Sequence, residues 1–198
     1  MKKLLTASAL VIASISLAGC TINLGSPDKD DSGMMGENGM MGNKTVGSSS
    51  FSGADIMFAQ MMIPHHEQAI TLSDMAAKNS KNQEILNFAK QIKDAQEPEI
   101  TQMTAWLTDG GYGLDPGHSM DGMGGMLSDE QLSKLSKLSG AAFDKLFLTS
   151  MIEHHKGALQ MVIMIENSTD PKIKLFGDSI IRVQSDEIAY MEQLLTKI

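Results

Sequence analysis

The sequence predicts an all-α protein: a four-helix bundle built from two repeated helical hairpins and preceded by a disordered tether. Three observations carry this expectation. From about Ala54 onward, apolar residues recur at three- and four-residue spacing, the mark of amphipathic helices. The segment D-I-M-F-A-Q-M-M-I-P-H-H-E-Q-A from Asp55 returns without gaps as D-K-L-F-L-T-S-M-I-E-H-H-K-G-A from Asp144, an offset of 89 residues, with Asp, Phe, Met, Ile, both histidines and Ala matched. A second pair, Q-E-P-E-I-T-Q-M from Gln96 and Q-S-D-E-I-A-Y-M from Gln184, follows at an offset of 88. Each half therefore holds a helix with paired histidines and then a helix with Gln-x-x-Glu.

Residues 1–19 read as an export signal. Lys2 and Lys3 form a positive start, Leu4 to Leu17 an apolar run, and Ala18 and Gly19 are small. The ending Leu17-Ala18-Gly19-Cys20 resembles the lipobox of bacterial lipoproteins. The resemblance implies cleavage before Cys20, a lipid on its sulfur and anchoring of the exported chain to the cell envelope through the membrane. An ordinary secretory signal is the alternative. Cys20 is the single cysteine, so no intrachain disulfide forms.

Residues 20–52 form the expected tether, rich in Gly, Ser, Asp and Asn. Within it, G-M-M-G-E-N-G-M-M-G carries Met34, Met35, Met40 and Met41. A second such segment, H-S-M-D-G-M-G-G-M, carries His118, Met120, Met123 and Met126 in a Gly-rich connection. Both are candidates for auxiliary metal capture.

The bundle is assigned to residues 53–198, with one hairpin at 53–108, a linker at 109–127 and a second hairpin at 128–198. Ser80 and Gln83 have the spacing of a capping box at the start of the second helix. Ser128 to Gln131 begins a short extra helix that ends near Gly140. Asp170-Pro171 supplies an N-cap and an N1 proline for the last helix. The turns at Ala77–Lys81 and Asn167–Asp170 are short, so each pair of long helices is antiparallel. Pro64 and Pro98 fall inside helices, where each removes a backbone donor and is expected to kink or open its helix at roughly 3 kcal/mol.

The apolar stripes run Phe58, Met62, His65, Ala69, Leu72, Ala76 on the first helix and Phe147, Met151, His154, Ala158, Met161, Ile165 on the third. His65 and His154 thus face the core. His66 and His155 lie one position to the side, at an edge that solvent-borne metal could reach. Met62 is three and four residues before His65 and His66, and Met151 stands likewise before His154 and His155, so each trio can converge. The partner stripes put Gln96, Glu99, Gln184 and Glu187 in the core midway along their helices. Buried carboxylates need partners. The expectation is a polar waist of four histidines, two glutamines and two glutamates, edged by methionine.

Charge narrows the function. The 16 Lys+Arg less Lys2 and Lys3 leave 14 against 24 acids, or −10 for the mature chain. That is unsuited to nucleic acid, whose phosphates need basic neutralisation, and any membrane tether has to be covalent. Imidazole suits copper, zinc, iron and nickel, and thioether sulfur selects Cu(I). Histidine with methionine and no free thiol points to copper, as Cu(I) or Cu(II), with zinc or iron as alternatives. His65, His66, His154, His155, Met62 and Met151 are the candidate ligands. Gln96, Glu99, Gln184 and Glu187 are the groups expected to orient them. A di-iron site needs more core carboxylates and Glu-x-x-His, which this chain lacks. No Ser/His/Asp or Cys/His catalytic set and no phosphate-binding loop appears, so no catalytic residue is assigned.

The doubled pattern F-x-x-x-M-x-x-H-H-x-x-A, with Q-x-x-E-I-x-x-M on the partner helices, resembles the bacterial domain-of-unknown-function family 305 over about residues 53–197. The resemblance implies a ferritin-like four-helix bundle, exported or membrane-anchored, with copper binding in some members. It also implies metal roles for the four histidines, Met62 and Met151. Three readings follow: a tethered copper protein for sequestration, handling or tolerance; an envelope interaction module with a structural histidine network; and a ferritin-like redox enzyme. The oligomeric state is open, a homo-oligomer included.

Overall fold

The computed structural model describes residues 51–115, 117 and 123–198. The expected leader, Cys20, the tether with Met34, Met35, Met40 and Met41, and His118 and Met120 of the linker lie outside the described residues. Those described form five α-helices: α1 (Gly53–Asn79), α2 (Gln83–Asp109), α3 (Asp129–Ser136), α4 (Gly140–Val162) and α5 (Pro171–Leu195). No helix among them is long and apolar enough to cross a membrane. The four long helices are the expected bundle, and α3 is the expected extra helix.

Capping residues set most boundaries. Ser52 accepts from the Asp55 backbone N–H, and the Asp55 carboxylate accepts from the Ser52 N–H at 2.7 Å, a closed capping box at the start of α1. Ser128 and Gln131 form the same box on α3. Asp170 caps α5 ahead of Pro171. The Ser80–Gln83 box expected for α2 does not form. Asn82 is the N-cap there, accepting from the Glu84 N–H at 2.9 Å. Ser80 ends α1, and its hydroxyl accepts from the Asn82 N–H. Asn82 competes for the cap because it sits one residue before the helix, and Ser80 is held by the end of α1. Both Pro64 and Pro98 lie inside helices that remain continuous, so the expected opening is absent. The buried faces on either side of each proline outweigh one lost backbone bond.

Helix α1 packs on α2, α4 on α5, and α1 on α4. Two apolar clusters fill the interior. One gathers Phe58, Met62, Met103, Leu107, Met161, Ile165, Ile173, Phe176 and Ile180. The other gathers Leu72, Ile85, Phe88, Ile92, Phe143, Phe147, Met151, Met191 and Leu194. The first half of α1 thus meets the second half of α4, so the two histidine helices run antiparallel. Phe58, Phe143 and Phe147 are fully buried, each burial contributing about 1.5–3 kcal/mol. Between the clusters lie the buried polar residues His65, His66, Gln96, His154, His155 and Gln184. The bundle has its polar waist.

Candidate metal centre

Adjacent helical residues point about 100° apart, and α1 has two neighbours. His65 turns toward α4, where its ring lies 3.7 Å from that of His154, centroid to centroid. His66 turns toward α2, where Nε2 donates to Glu99 Oε2 at 2.8 Å. Helix α4 repeats this: His154 faces His65, and His155 Nε2 donates to Glu187 Oε2 at 2.8 Å. Within each pair the ring centroids are 6.3 Å apart. The result is one continuous row across the bundle, Glu99–His66–His65–His154–His155–Glu187. The two histidine pairs meet through His65 and His154.

All four imidazoles are fully buried. This corrects the expectation that His66 and His155 sit at a solvent edge. Being 100° off the stripe does not expose a side chain when a second helix covers that side. The solvent-facing members are the carboxylates: Glu99 and Glu187 side chains are 20% and 14% exposed. Gln96 and Gln184 are buried as expected, each with its Oε1 unpartnered. Met62 and Met151 are fully buried. They belong to opposite apolar clusters, one on each side of the histidine layer.

Burial lowers the pKa of His65 from 6.5 to about 3; the Gly124 carbonyl partly opposes this, and the neighbouring histidines add to it. Burial holds His154 well below 6.5, with His65 the next contributor. Both inner rings are therefore neutral at neutral pH. Their hydrogen bonds define tautomers. A carbonyl or carboxylate only accepts, so Nε2 carries the proton on His65, His66 and His155. Nδ1 makes no hydrogen bond on any of the four histidines, and His154 lacks one at Nε2 as well. Three bare Nδ1 lone pairs are thus set by what Nε2 touches, the arrangement that metal-ligating histidines use. The donor chemistry fits a soft or borderline cation. Among the described residues no three or more His, Cys, Asp or Glu form a ready metal cage, so a metal held here draws on thioether sulfur or on few ligands.

Sequence reasoning missed the linker's contribution. A 3₁₀ turn, Met123–Gly125, packs on α4. The Gly124 carbonyl accepts from His65 Nε2 at 2.7 Å. Gly124 and Gly125 are left-handed, at φ 52° and 74°. A Cβ on Gly157 would lie 1.5 Å from the Gly124 oxygen, so only glycine on α4 admits the turn. A Cβ on Gly124 would lie 2.9 Å from Met161 Sδ and 3.5 Å from His65 Cδ2, which places the Met161 thioether in the neighbourhood of His65. Met126 is half-buried against the Phe58 cluster, not a free methionine.

Two open pockets reach the ends of the histidine row. One, about 370 Å³, is lined by Glu99, Gln102, Lys172, Leu175, Phe176 and Ser179. The other, about 390 Å³, is lined by Phe88, Gln91, Asp186, Glu187 and Tyr190. Phe88 with Phe176, Gln91 with Ser179, Glu99 with Glu187 and Gln102 with Tyr190 are related by the 88-residue offset. The pockets are repeat copies. Their charges have diverged: Lys172 sits in the first, and Asp186 joins Glu187 in the second.

The chain matches the family described as "Domain of unknown function (DUF305)" over residues 55–195. Among solved structures it is similar to a DUF305 fragment from Deinococcus radiodurans, with 28% identity, 74% of this chain and 98% of that one covered, and a TM-score of 0.69. A protein of Streptomyces coelicolor described as a secreted DUF305 protein is also 28% identical, covering 73% of this chain and 93% of that one at a TM-score of 0.67. CopM in its Cu(I)-bound form is 32% identical over 72% of this chain and 96% of that one, with a TM-score of 0.62. CopM has also been solved in Cu(II)- and silver-bound forms. No curated protein matches the chain.

Proposed function

The chain belongs to the DUF305 family, and we propose that it is an exported, lipid-anchored copper-binding protein of the bacterial cell envelope that sequesters or handles the ion. The observation that carries this reading is the row of four buried histidines with unpartnered Nδ1 atoms. A network kept only for bundle register would close on itself, because an unpaired buried polar atom costs about 1–3 kcal/mol. This network closes at Nε2, through Glu99, Glu187 and Gly124, and leaves its lone pairs bare. The metal-bound forms of CopM support a metal role.

His65, His66, His154 and His155 would supply the imidazole ligands, no three of the rings converging on one point as they stand, with Met62, Met151 and Met161 as candidate thioethers. Such a group would supply binding through soft and borderline donors, with no reaction attached. Glu99 and Glu187 would fix the outer imidazoles and, being partly exposed, face the arriving cation. Gln96 and Gln184 line the same layer. Met34, Met35, Met40, Met41, His118, Met120 and Met123 would serve as auxiliary sites of Cu(I) capture. Cys20 would carry the anchor.

The test is a titration of the metal-free mature protein with Cu(I) and Cu(II) against a competing chelator. In His66→Gln/His155→Gln, the amide keeps a donor for each carboxylate and loses the Nδ1 lone pair. Affinity should fall by a factor of ten or more while the fold is kept. Parental affinity in this variant would remove the assignment.

A further inference from the structure

The 89-residue repeat relates Gln68 on α1 to Gly157 on α4. The two positions match in neither size nor chemistry, and both touch the same segment of linker. The Gln68 amide donates from Nε2 to the Leu127 carbonyl at 2.8 Å. Its Oε1 accepts from the Leu127 N–H at 2.7 Å. Gly157 leaves the notch that the Gly124 carbonyl enters. One half of the repeat therefore grips the linker, and the other half makes room for it three residues earlier.

We propose that Gln68 is a positioning residue: by clamping the Leu127 backbone it holds the Gly124 carbonyl on His65 Nε2 and so fixes His65 in the tautomer that keeps Nδ1 free to bind a metal. His66 and His155 take their tautomer from Glu99 and Glu187, each within its own hairpin. Neither nitrogen of His154 makes a well-aligned hydrogen bond. His65 Nε2 has the Gly124 carbonyl as its partner, and a backbone atom of the linker holds its place only if its segment does. With the clamp released, the neutral ring can place its proton on either nitrogen. A proton on Nδ1 occupies the lone pair. The clamp needs a side chain that donates and accepts in one plane, which a glutamine amide does and a carboxylate or aliphatic side chain does not.

The significance for metal binding rests on the proposed function; the tautomer itself does not. The experiment is nitrogen-15 NMR of the imidazoles in the metal-free mature chain above pH 7, with Cu(I) competition titrations alongside. In the parent, His65 should show a protonated Nε2 and a bare Nδ1. In Gln68→Leu, His65 should become a mixture of tautomers while His66 and His155 are unchanged, and Cu(I) affinity should drop about tenfold, the scale of lost outer-shell support. Gln68→Glu, which keeps the acceptor and loses the donor, should shift His65 in the same direction and serves as the variant if Gln68→Leu does not fold. A protonated Nδ1 on His65 in the parent, or an unchanged His65 in the folded variants, overturns the proposal. If the parent takes up no copper and His65 still loses its tautomer, Gln68 keeps its role and the copper reading falls.

Discussion

His65 and His154, 89 residues apart in an internal repeat, lie face against face with ring centroids 3.7 Å apart and planes inclined by 31°. Both are fully buried. Two imidazolium rings could not share that space, so the centre of the bundle depends on both staying neutral.

Acid should therefore unfold the protein through this pair. In the folded chain His65 titrates near 3 and His154 well below 6.5, while both titrate near 6.5 once unfolded. The folded-state values are lowered, so the contribution is complete above about pH 6.5 and is lost as pH falls toward 3. Each ring should contribute a slope of about 1.4 kcal/mol per pH unit in that window. Urea unfolding of the metal-free chain between pH 7.5 and about 4 measures it. A flat profile above the carboxylate range would contradict neutral burial.

Gly157→Ala should expel the linker from α4. The new methyl would overlap the Gly124 oxygen, a backbone atom that cannot rotate away. Stability should drop by about 1–3 kcal/mol, the usual cost of overpacking, and His65 should lose its Nε2 partner. Denaturant midpoints and His65 nitrogen shifts report both effects, whereas Ala at exposed Gly113 should change neither.

Glu99→Gln and Glu187→Gln should weaken copper binding by about 10–100-fold each, since each removes the carboxylate that orients a candidate ligand. Because the row is pseudo-symmetric, the two variants should behave alike within a few-fold. Chelator competition tests this. A strong effect at one glutamate alone would mean that one half of the row carries the site.

The two pockets should differ in rate. Asp186 adds negative charge beside Glu187, and Lys172 offsets Glu99. Asp186→Asn should slow copper association a few-fold at low ionic strength, with the effect fading in salt. Lys172→Gln should leave it equal or faster. Stopped-flow binding at two salt concentrations decides this, and an unchanged rate for Asp186→Asn would exclude that mouth as the entrance.

Adding Cu(I) or Cu(II) to the metal-free chain should raise Tm, because tight binding to the native state must stabilise it. The shift should vanish in His66→Gln/His155→Gln. An unchanged Tm in the parent would favour a purely structural waist.

Much of this was legible in the residues. The spacing of Phe58, Met62, His65, Ala69 and Leu72 is a helical angle written along the chain, and the repeat set a second copy beside it. The helices, the hairpins and the polar layer follow from that arithmetic. The family pattern followed from the same positions. What misled was the treatment of each helix as having one buried side. His66 and His155 lie off the stripe and were expected at an edge, yet α2 and α5 close over them through Glu99 and Glu187. Likewise Ser80 and Gln83 had capping-box spacing, but Asn82 stood closer to the helix and took the cap.

By itself the sequence determined which elements form, how they pair, and that histidine, glutamine and glutamate share one layer, because helical periodicity and a gapless repeat are properties of order along a chain. Only the tertiary structure decided that the two histidine pairs meet through His65 and His154, that the glutamates and not the outer histidines face water, and that the Gly124 carbonyl, admitted by Gly157, reaches His65. Those facts depend on what packs between helices and on a backbone carbonyl, which leaves no signature in side-chain identity.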